Sequence, residues 1–331
     1  MTTTTTKNIN MDLDLLKKII RMSKKNLFDF LEIELAQVYK NIDTNEKLRN
    51  FLFCEGEEPV MVVAHLDTVF EGFLKSSLTN SINDLWGIYD FHQRTIKLKE
   101  IYHDQVQGVM WSPDGLGADD RVGVFMILSL VRAGARPSIL FTTDEESGST
   151  SGYDFALQYK HKFQNYGIKY LMELDRSGVN DCVFYNCDNP DFTKYIEGYG
   201  FKTGTGSFTD ISVICPIIKT AGVNLSVGYW NEHSETEMID LFTMSKNFDI
   251  IYKMIKDSKK IKKVYKFILK KEPKKIKPKE KEFKIAVDYK ERDSKCSICL
   301  TPIEDFLYAT DLGKICLDCY MEMYDIKGGV K

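Results

Sequence analysis

The sequence predicts an α/β fold: a central, mixed but largely parallel sheet between helices, followed by a small cysteine-rich module. Three observations predict it. Compact apolar, β-branched runs alternate with segments whose apolar residues recur every three to four positions, the pattern of strands interleaved with helices. Several of the apolar runs stop at clusters of His, Asp and Glu, as happens where the carboxyl ends of parallel strands present their loops. Two Cys-x-x-Cys pairs stand close together near the carboxyl end. At 331 residues the chain has room for one large domain and an appendage, since domains usually run to about 100–200 residues.

The elements follow in order. Residues 1–10, MTTTTTKNIN, carry no apolar pattern and are expected to be disordered. DLDLLKKIIRM (12–22) and LFDFLEIELAQVYKNI (27–42) have helical spacing. PVMVVAHLDTV (59–69) is a buried strand and its exit. Residues 71–110 interrupt the alternation with a polar and aromatic stretch that suits a hairpin excursion. GVFMILSLVRAG (123–134) is helical, SILFTTDEE (138–146) a strand, GYDFALQYKHKF (152–163) helical and YLMELD (170–175) a strand. A helix near 238–257 closes the globular part, which therefore spans 11–257. A Lys-rich linker at 258–293 and a four-cysteine module at 294–331 complete the chain. There is no internal repeat.

Charge is distributed unevenly. Residues 258–281 hold twelve Lys and two Glu, a balance of +10, so the net −3 of the whole chain leaves −13 on the remainder. An acidic body carries a basic strap. No apolar run follows a basic start, and nowhere do about 18 uncharged apolar residues succeed one another as a membrane span requires. A cytoplasmic protein without a membrane partner is expected. In that compartment paired Cys-x-x-Cys spacing favours metal over disulfides. The scattered Cys54, Cys182, Cys187 and Cys215 are simplest as small core residues.

The polar clusters at the strand exits suggest a metal site. VVAH delivers His65 and, two residues on, Asp67. ILFTTDEESGS (139–149) delivers Asp144, Glu145 and Glu146, and YLMEL delivers Asp175. NLSVGYW leads into NEHSETE with His233, and DGLGADDRVGV sets Asp119 and Asp120 at a glycine-flanked helix start. Taken singly, each is an ordinary turn, cap or polar loop, and acids at a helix start are favoured by its dipole. Together they complete one donor set. A pair of zinc ions about 3.5–4 Å apart needs imidazole nitrogens, anionic oxygens and a shared carboxylate. His65 and His233 offer the nitrogens, and Asp119, Glu146 and Asp175 the oxygens. Glu145, beside one ligand but pointing elsewhere, is placed to act as base. Asp67, on the same face of the chain as His65, is placed to fix the tautomer of that ring.

These stretches, AHLDTV, LGADDRVG, FTTDEESGS, ELDRSG and NEHSETE, resemble the co-catalytic di-zinc exopeptidases, and look most like peptidase T and related aminopeptidases. SFTDISVI is similar to a Thr-Asp pair often found before the last ligand. The resemblance covers roughly residues 55–250. It implies the three-layer α/β/α zinc-peptidase fold, with His65, Asp119 and Asp175 on one metal and Asp119, Glu146 and His233 on the other. It implies Glu145 as general base, Asp67 as orienting acid, and a cis peptide after the bridging Asp119. The implied reaction is hydrolysis of a peptide bond by a water activated between the metals, with a substrate amino terminus held by the other zinc or by an acid such as Asp210. Two departures stand out. Only 57 residues separate Asp175 from His233, which leaves no room for the lid and dimerisation domain of many relatives. A lidless monomer is therefore expected. Arg121 also stands where Lys is common.

Cys296, Cys299, Cys316 and Cys319 form a C-x2-C-x16-C-x2-C pattern, two knuckles whose thiolates close a tetrahedral structural zinc. A zinc ribbon of this kind docks protein or, less in keeping with its own acidic sequence, meets nucleic acid through the Lys-rich linker. The leading expectation is an aminopeptidase acting on short peptides with two zinc ions, for which manganese or cobalt accept the same donors. The alternatives are a deacylase or carboxypeptidase using the same site, and a zinc-binding interaction protein whose catalysis has lapsed. The retained Glu145 weighs against the last.

Overall fold

The computed structural model describes residues 11–70, 87–90, 95–270, 307–310 and 313–316. The chain divides into two compact units, residues 1–271 and 272–331. In the first, helix α1 (Leu13–Arg21) starts where the Asp12 carboxylate accepts the Leu15 N–H, and α2 (Lys24–Ala36) where the Ser23 hydroxyl accepts that of Asn26. Helix α2 ends earlier than its apolar spacing suggests. Beyond it the Tyr39 hydroxyl donates to the Pro137 carbonyl at 2.9 Å, and strand β1 (Ile42–Asp43) pairs with β2 (Phe51–Cys54).

The chain continues through β3 (Glu58–His65), β4 (Gly87–Asp90), β5 (Thr95–Leu98), β6 (Tyr102–Asp104) and β7 (Val109–Trp111) to α3 (Ala118–Arg132). Then come β8 (Pro137–Thr142), α4 (Thr150–Tyr159), β9 (Leu171–Arg176), β10 (Asp181–Val183), α5 (Pro190–Glu197) and β11 (Lys202–Thr203). The body ends with α6 (Asp210–Ile218), β12 (Gly222–Ser226), β13 (Tyr229–Trp230), β14 (Met238–Asp240) and α7 (Leu241–Asp257).

Eight strands form the central sheet in the order β1-β2-β8-β3-β9-β12-β10-β11. Its heart, β8-β3-β9-β12, is parallel, while the β1–β2, β2–β8 and β10–β12 pairs are antiparallel. Side chains alternate across it as the two-residue period of a strand dictates. Val60, Val62 and Ala64 of β3 join Val122, Phe125 and Phe248 from α3 and α7 on one face. Met61 and Val63 join Phe155 and Ile214 from α4 and α6 on the other. Both faces are covered, which is why the central strands read as unbroken apolar runs. No helix among the described residues is long and apolar enough to cross a membrane.

The expected excursion contains two antiparallel pairs, β4–β5 and β6–β7. The second belongs to a four-stranded edge sheet, β13-β14-β7-β6, that brings the segment before α3 beside the segment before α7. Strands of two or three residues have no readable period, so nothing in the sequence announced this sheet.

Residues 258–270, where the Lys-rich linker was expected to begin, fall in the first compact unit. Lys259, with Lys256, reaches the buried carboxylate of Glu58, at 3.3 and 2.9 Å. The Tyr265 N–H donates to the Lys169 carbonyl, the Ala221 N–H to that of Tyr265, and the Lys270 N–H to that of Asn186. Lysine content hid an alternating segment, Val264–Tyr265–Lys266–Phe267, in which Tyr265 and Phe267 turn inward and Lys266 outward. In the second unit β15 (Leu307–Thr310) and β16 (Gly313–Cys316) make an antiparallel hairpin ending on Cys316. Residues 1–10, the rest of the linker, and Cys296, Cys299 and Cys319 lie outside the described residues.

Candidate metal centre

The site forms at the carboxyl edge of the parallel strands. His65 is the last residue of β3 and Asp175 lies one residue before the end of β9. Glu145 and Glu146 open a 3-10 turn just after β8, which is in parallel register with β3 so that His65 lies opposite Thr142. Asp119 stands at the start of α3, before the backbone settles into helical angles, and the Asp119–Asp120 peptide is cis. His233 follows β13 in a loop.

His65 is 1 % exposed. Its Nδ1 faces Asp67, at 3.1 Å from the backbone oxygen and 3.4 Å from Oδ1, and its Nε2 faces Asp119 Oδ1 at 3.0 Å and Asp175 Oδ1 at 3.5 Å. The other oxygen of Asp119, Oδ2, lies 3.2 Å from Nε2 of His233, which is also 3.0 Å from Glu146 Oε2. The two oxygens of Asp119 therefore face different imidazoles. Donor atoms of His65, Asp119 and Glu146 lie within 4.8 Å of one another, as do those of His65, Asp120 and Asp175. Asp120 is a less suitable donor than its neighbour, because Oδ2 accepts the His65 N–H and Oδ1 the Gly123 N–H. It is a backbone brace under the cluster.

Further groups hold the donors in place. The carboxylate of Asp67 accepts the N–H groups of Glu145 and Glu146, both at 3.2 Å, so one acid fixes the His65 ring and the turn that carries both glutamates. The Tyr229 hydroxyl donates to Asp175 Oδ1 and that of Thr209 to Asp175 Oδ2, each at 3.1 Å. Sequence reading missed Tyr229, an apolar-flanked aromatic without an acidic neighbour in the chain to mark it. Asp210, expected to hold a substrate amino terminus, is fully buried and takes hydroxyl donors from Thr142 and Ser149. Its neighbour Thr209 reaches the cluster. Asp144 accepts from both the backbone and the hydroxyl of Ser151 at the start of α4, a turn-fixing role. Arg121 is completely buried.

The electrostatics are those of an acidic cluster short of positive charge. Burial, with the negative charge of Asp175, Asp210 and Asp119, pushes Glu145 up to about 9 against the opposing pull of His65. Burial and Asp119 push Glu146 up to about 7 and Asp175 to about 6. Asp119, although buried, is held below the usual carboxylate range by His233 and His65. His233 rises to about 9, chiefly through its bond to Asp119, and His65 stands well above the ordinary value because Asp175, Asp119 and Asp67 outweigh its burial. Acids that hold protons and imidazoles that gain them both signal a place where a cation would be welcome. The donors, imidazole and carboxylate, suit zinc, and accept manganese or cobalt.

No protein-family model matches the chain, and no curated protein sequence matches it. Solved structures do. Aminopeptidase PepT from Bacillus cereus ATCC 10987 aligns with a TM-score of 0.54 at 12 % identity, over 76 % of this chain and 100 % of that one. A TET aminopeptidase from a marine-sediment archaeon, Thaumarchaeota archaeon, aligns with a TM-score of 0.53 at 11 % identity, over 74 % and 96 %. A tripeptidase from Staphylococcus aureus subsp. aureus Mu50 gives 0.51 at 12 % identity, over 75 % and 98 %. At these identities the likeness is one of fold: the chain shares the α/β architecture of these peptidases.

Proposed function

We propose that the protein is a two-metal aminopeptidase that removes residues from the free amino ends of short peptides. The observation that carries this reading is Asp119, whose two oxygens face His65 and His233 separately, as a carboxylate shared between two cations must. His65, Asp119 and Asp175 would hold one ion, and Asp119, Glu146 and His233 the other. Two bound zinc ions, or manganese or cobalt in their place, would supply Lewis-acid polarisation of the scissile carbonyl and acidify the attacking water. The aminopeptidase choice is supported by the fold shared with peptidases.

The chain's own residues do the rest. Glu145 accepts the proton of the attacking water on its carboxylate and returns it to the leaving amine. Its burial next to other acids makes it a strong proton acceptor, and positive charge in the cluster would bring it back toward neutrality, where a base and an acid are both available. Asp67 keeps the proton of His65 on Nδ1, leaving the Nε2 lone pair directed at the cluster. Substitution Glu145→Gln tests the assignment. It should keep both site metals and lose about 10²–10⁴ in turnover; near-normal hydrolysis by that variant would show that the base lies elsewhere.

The four cysteines 296, 299, 316 and 319 are proposed to hold a structural zinc. Their spacing supports it, as does a hairpin that ends on Cys316. A segment this short needs such a staple to fold. The interval from Asp175 to His233 runs through β10, α5, β11, α6, β12 and β13, which supports a lidless catalytic unit acting as a monomer. Light scattering of the purified protein checks the monomer.

A further inference from the structure

We infer that Glu237 is a positioning residue that ties the loop carrying His233 to the turn carrying Asp119, so that the second cation site assembles as one piece. The inference rests on the two-metal reading above, but it concerns a residue to which that reading gives no part.

Glu237 is completely buried. Its Oε2 accepts the N–H groups of Gly117 and Ala118, the latter at 3.0 Å, and its Oε1 accepts that of Asp119 at 3.0 Å. Three successive backbone N–H groups thus converge on one carboxylate. The geometry is set by Gly117, whose φ of +75° lies in the left-handed region and is followed by the start of α3. Successive N–H groups that converge in a turn make a concave nest that favours an anion. Here the anion comes from the chain itself, from 120 residues further along.

Topology makes this contact informative. Strand β7 ends six residues before Gly117 and leads into the Asp119 turn, while β13 and β14 bracket residues 231–237. Strand β14 pairs with both, Met238 lying opposite Trp111 and Trp230. The edge sheet therefore holds the roots of the two segments, and Glu237, at the base of the His233 loop, reaches across to the turn at residues 117–119. His233, 51 % exposed on its side chain and with a positive φ of 60°, has little packing of its own to hold it. Without Glu237, the shared ligand would lose the anchor of its backbone, and the His233 loop would meet that ligand only through the His233 ring.

The chemistry distinguishes substitutions. In Glu237→Gln the amide oxygen serves Gly117 and Ala118 only if the amide NH2 is turned against the Asp119 N–H, or the reverse, so one donor always meets a donor. Glu237→Asp retains both oxygens on a shorter stem. The test is zinc titration of the chelator-treated full-length protein by calorimetry, with the visible spectrum of the cobalt-loaded form as a second readout. Glu237→Gln should weaken the second site ion by about 10–100-fold, the range found when outer-shell partners of metal ligands are removed. It should weaken the first ion, which shares Asp119 but not His233, by a smaller factor and alter the cobalt spectrum, while Glu237→Asp restores part of the affinity. Glu235→Ala, an exposed change in the same loop, should match wild type. Wild-type affinity for both ions and an unchanged spectrum in Glu237→Gln would overturn the inference. A wild-type protein that takes up no ion at this site would overturn the two-metal reading instead. Should Glu237→Gln fail to fold, Glu237→Asp carries the same test, and wild-type binding there with unaltered cobalt bands also counts against the tie.

Discussion

The two histidines of the site are the same chemical group in opposite settings. His65 closes a central strand, is 1 % exposed on its side chain, and has Asp67 on one nitrogen and Asp119 and Asp175 on the other. His233 sits on a loop, half exposed, held by Asp119 and Glu146. The difference teaches that one half of the site is built into the sheet and the other is assembled from its margins. Asp175, braced by Tyr229 and Thr209, belongs to the first half. Glu146, on a short turn pinned by Asp67, belongs to the second. Asp119 joins them.

The contrast can be broken most forcefully at its inner end. His65→Ala should lower turnover by about three orders of magnitude or more, some 4 kcal/mol of transition-state stabilisation. It should also lower the melting temperature of the metal-free protein, because it leaves buried acids without their cation; steady-state kinetics and calorimetry measure the two effects. At the outer end, His233→Ala should cost about 10²-fold in turnover and abolish one site metal. It should move the metal-free melting temperature by no more than about 2 °C, as expected for a side chain with little buried contact. Equal stability losses in the two variants would erase the distinction drawn here. Asp67→Asn sharpens it, since this change reaches both halves, through the His65 ring and through the glutamate turn. Zinc affinity should fall by about 10–100-fold.

The smallest expected effect is a pH dependence. In the metal-free protein Glu145, raised to about 9, Glu146, raised to about 7, and His233, raised to about 9, all bind protons more tightly when folded than when unfolded. Each therefore contributes stability at low pH that is lost as pH rises through its folded value. With chelator present, the melting temperature should decline between about pH 5 and 9; with zinc bound, those protons are displaced and the decline should flatten. A metal-free protein equally stable across that window would show that the acids and imidazoles do not share a site.

Much of this was legible in the sequence, because the strands that matter are long and buried on both faces. PVMVVAH and SILFTT announce β3 and β8, and where they stop, the donors begin. The nearness of His65, Glu146 and Asp175 follows from the parallel register, while Asp119 and His233 come to them from a helix start and a loop. What escaped reading depends on contacts distant in the chain. The edge sheet is made of strands too short to have a period. The docked residues 258–270 look like a solvated charge run until Tyr265 and Phe267 are seen to alternate with lysines. Glu237 sits in a polar heptapeptide where every residue looks alike, and only its backbone partners at 117–119 distinguish it. The complete burial of Asp210, beside Thr209, is likewise shown by no local pattern.

The central claim is that two cations at the sheet edge serve to cleave peptides from their free amino ends. Metal analysis of the purified full-length protein, run beside a hydrolysis screen of free and amino-blocked short peptides, tests it most directly. Two zinc ions at this site, a third with the cysteine module, and cleavage of the unblocked peptides alone is the predicted result. A single zinc in the cysteine module, with neither peptide cleaved, would contradict it.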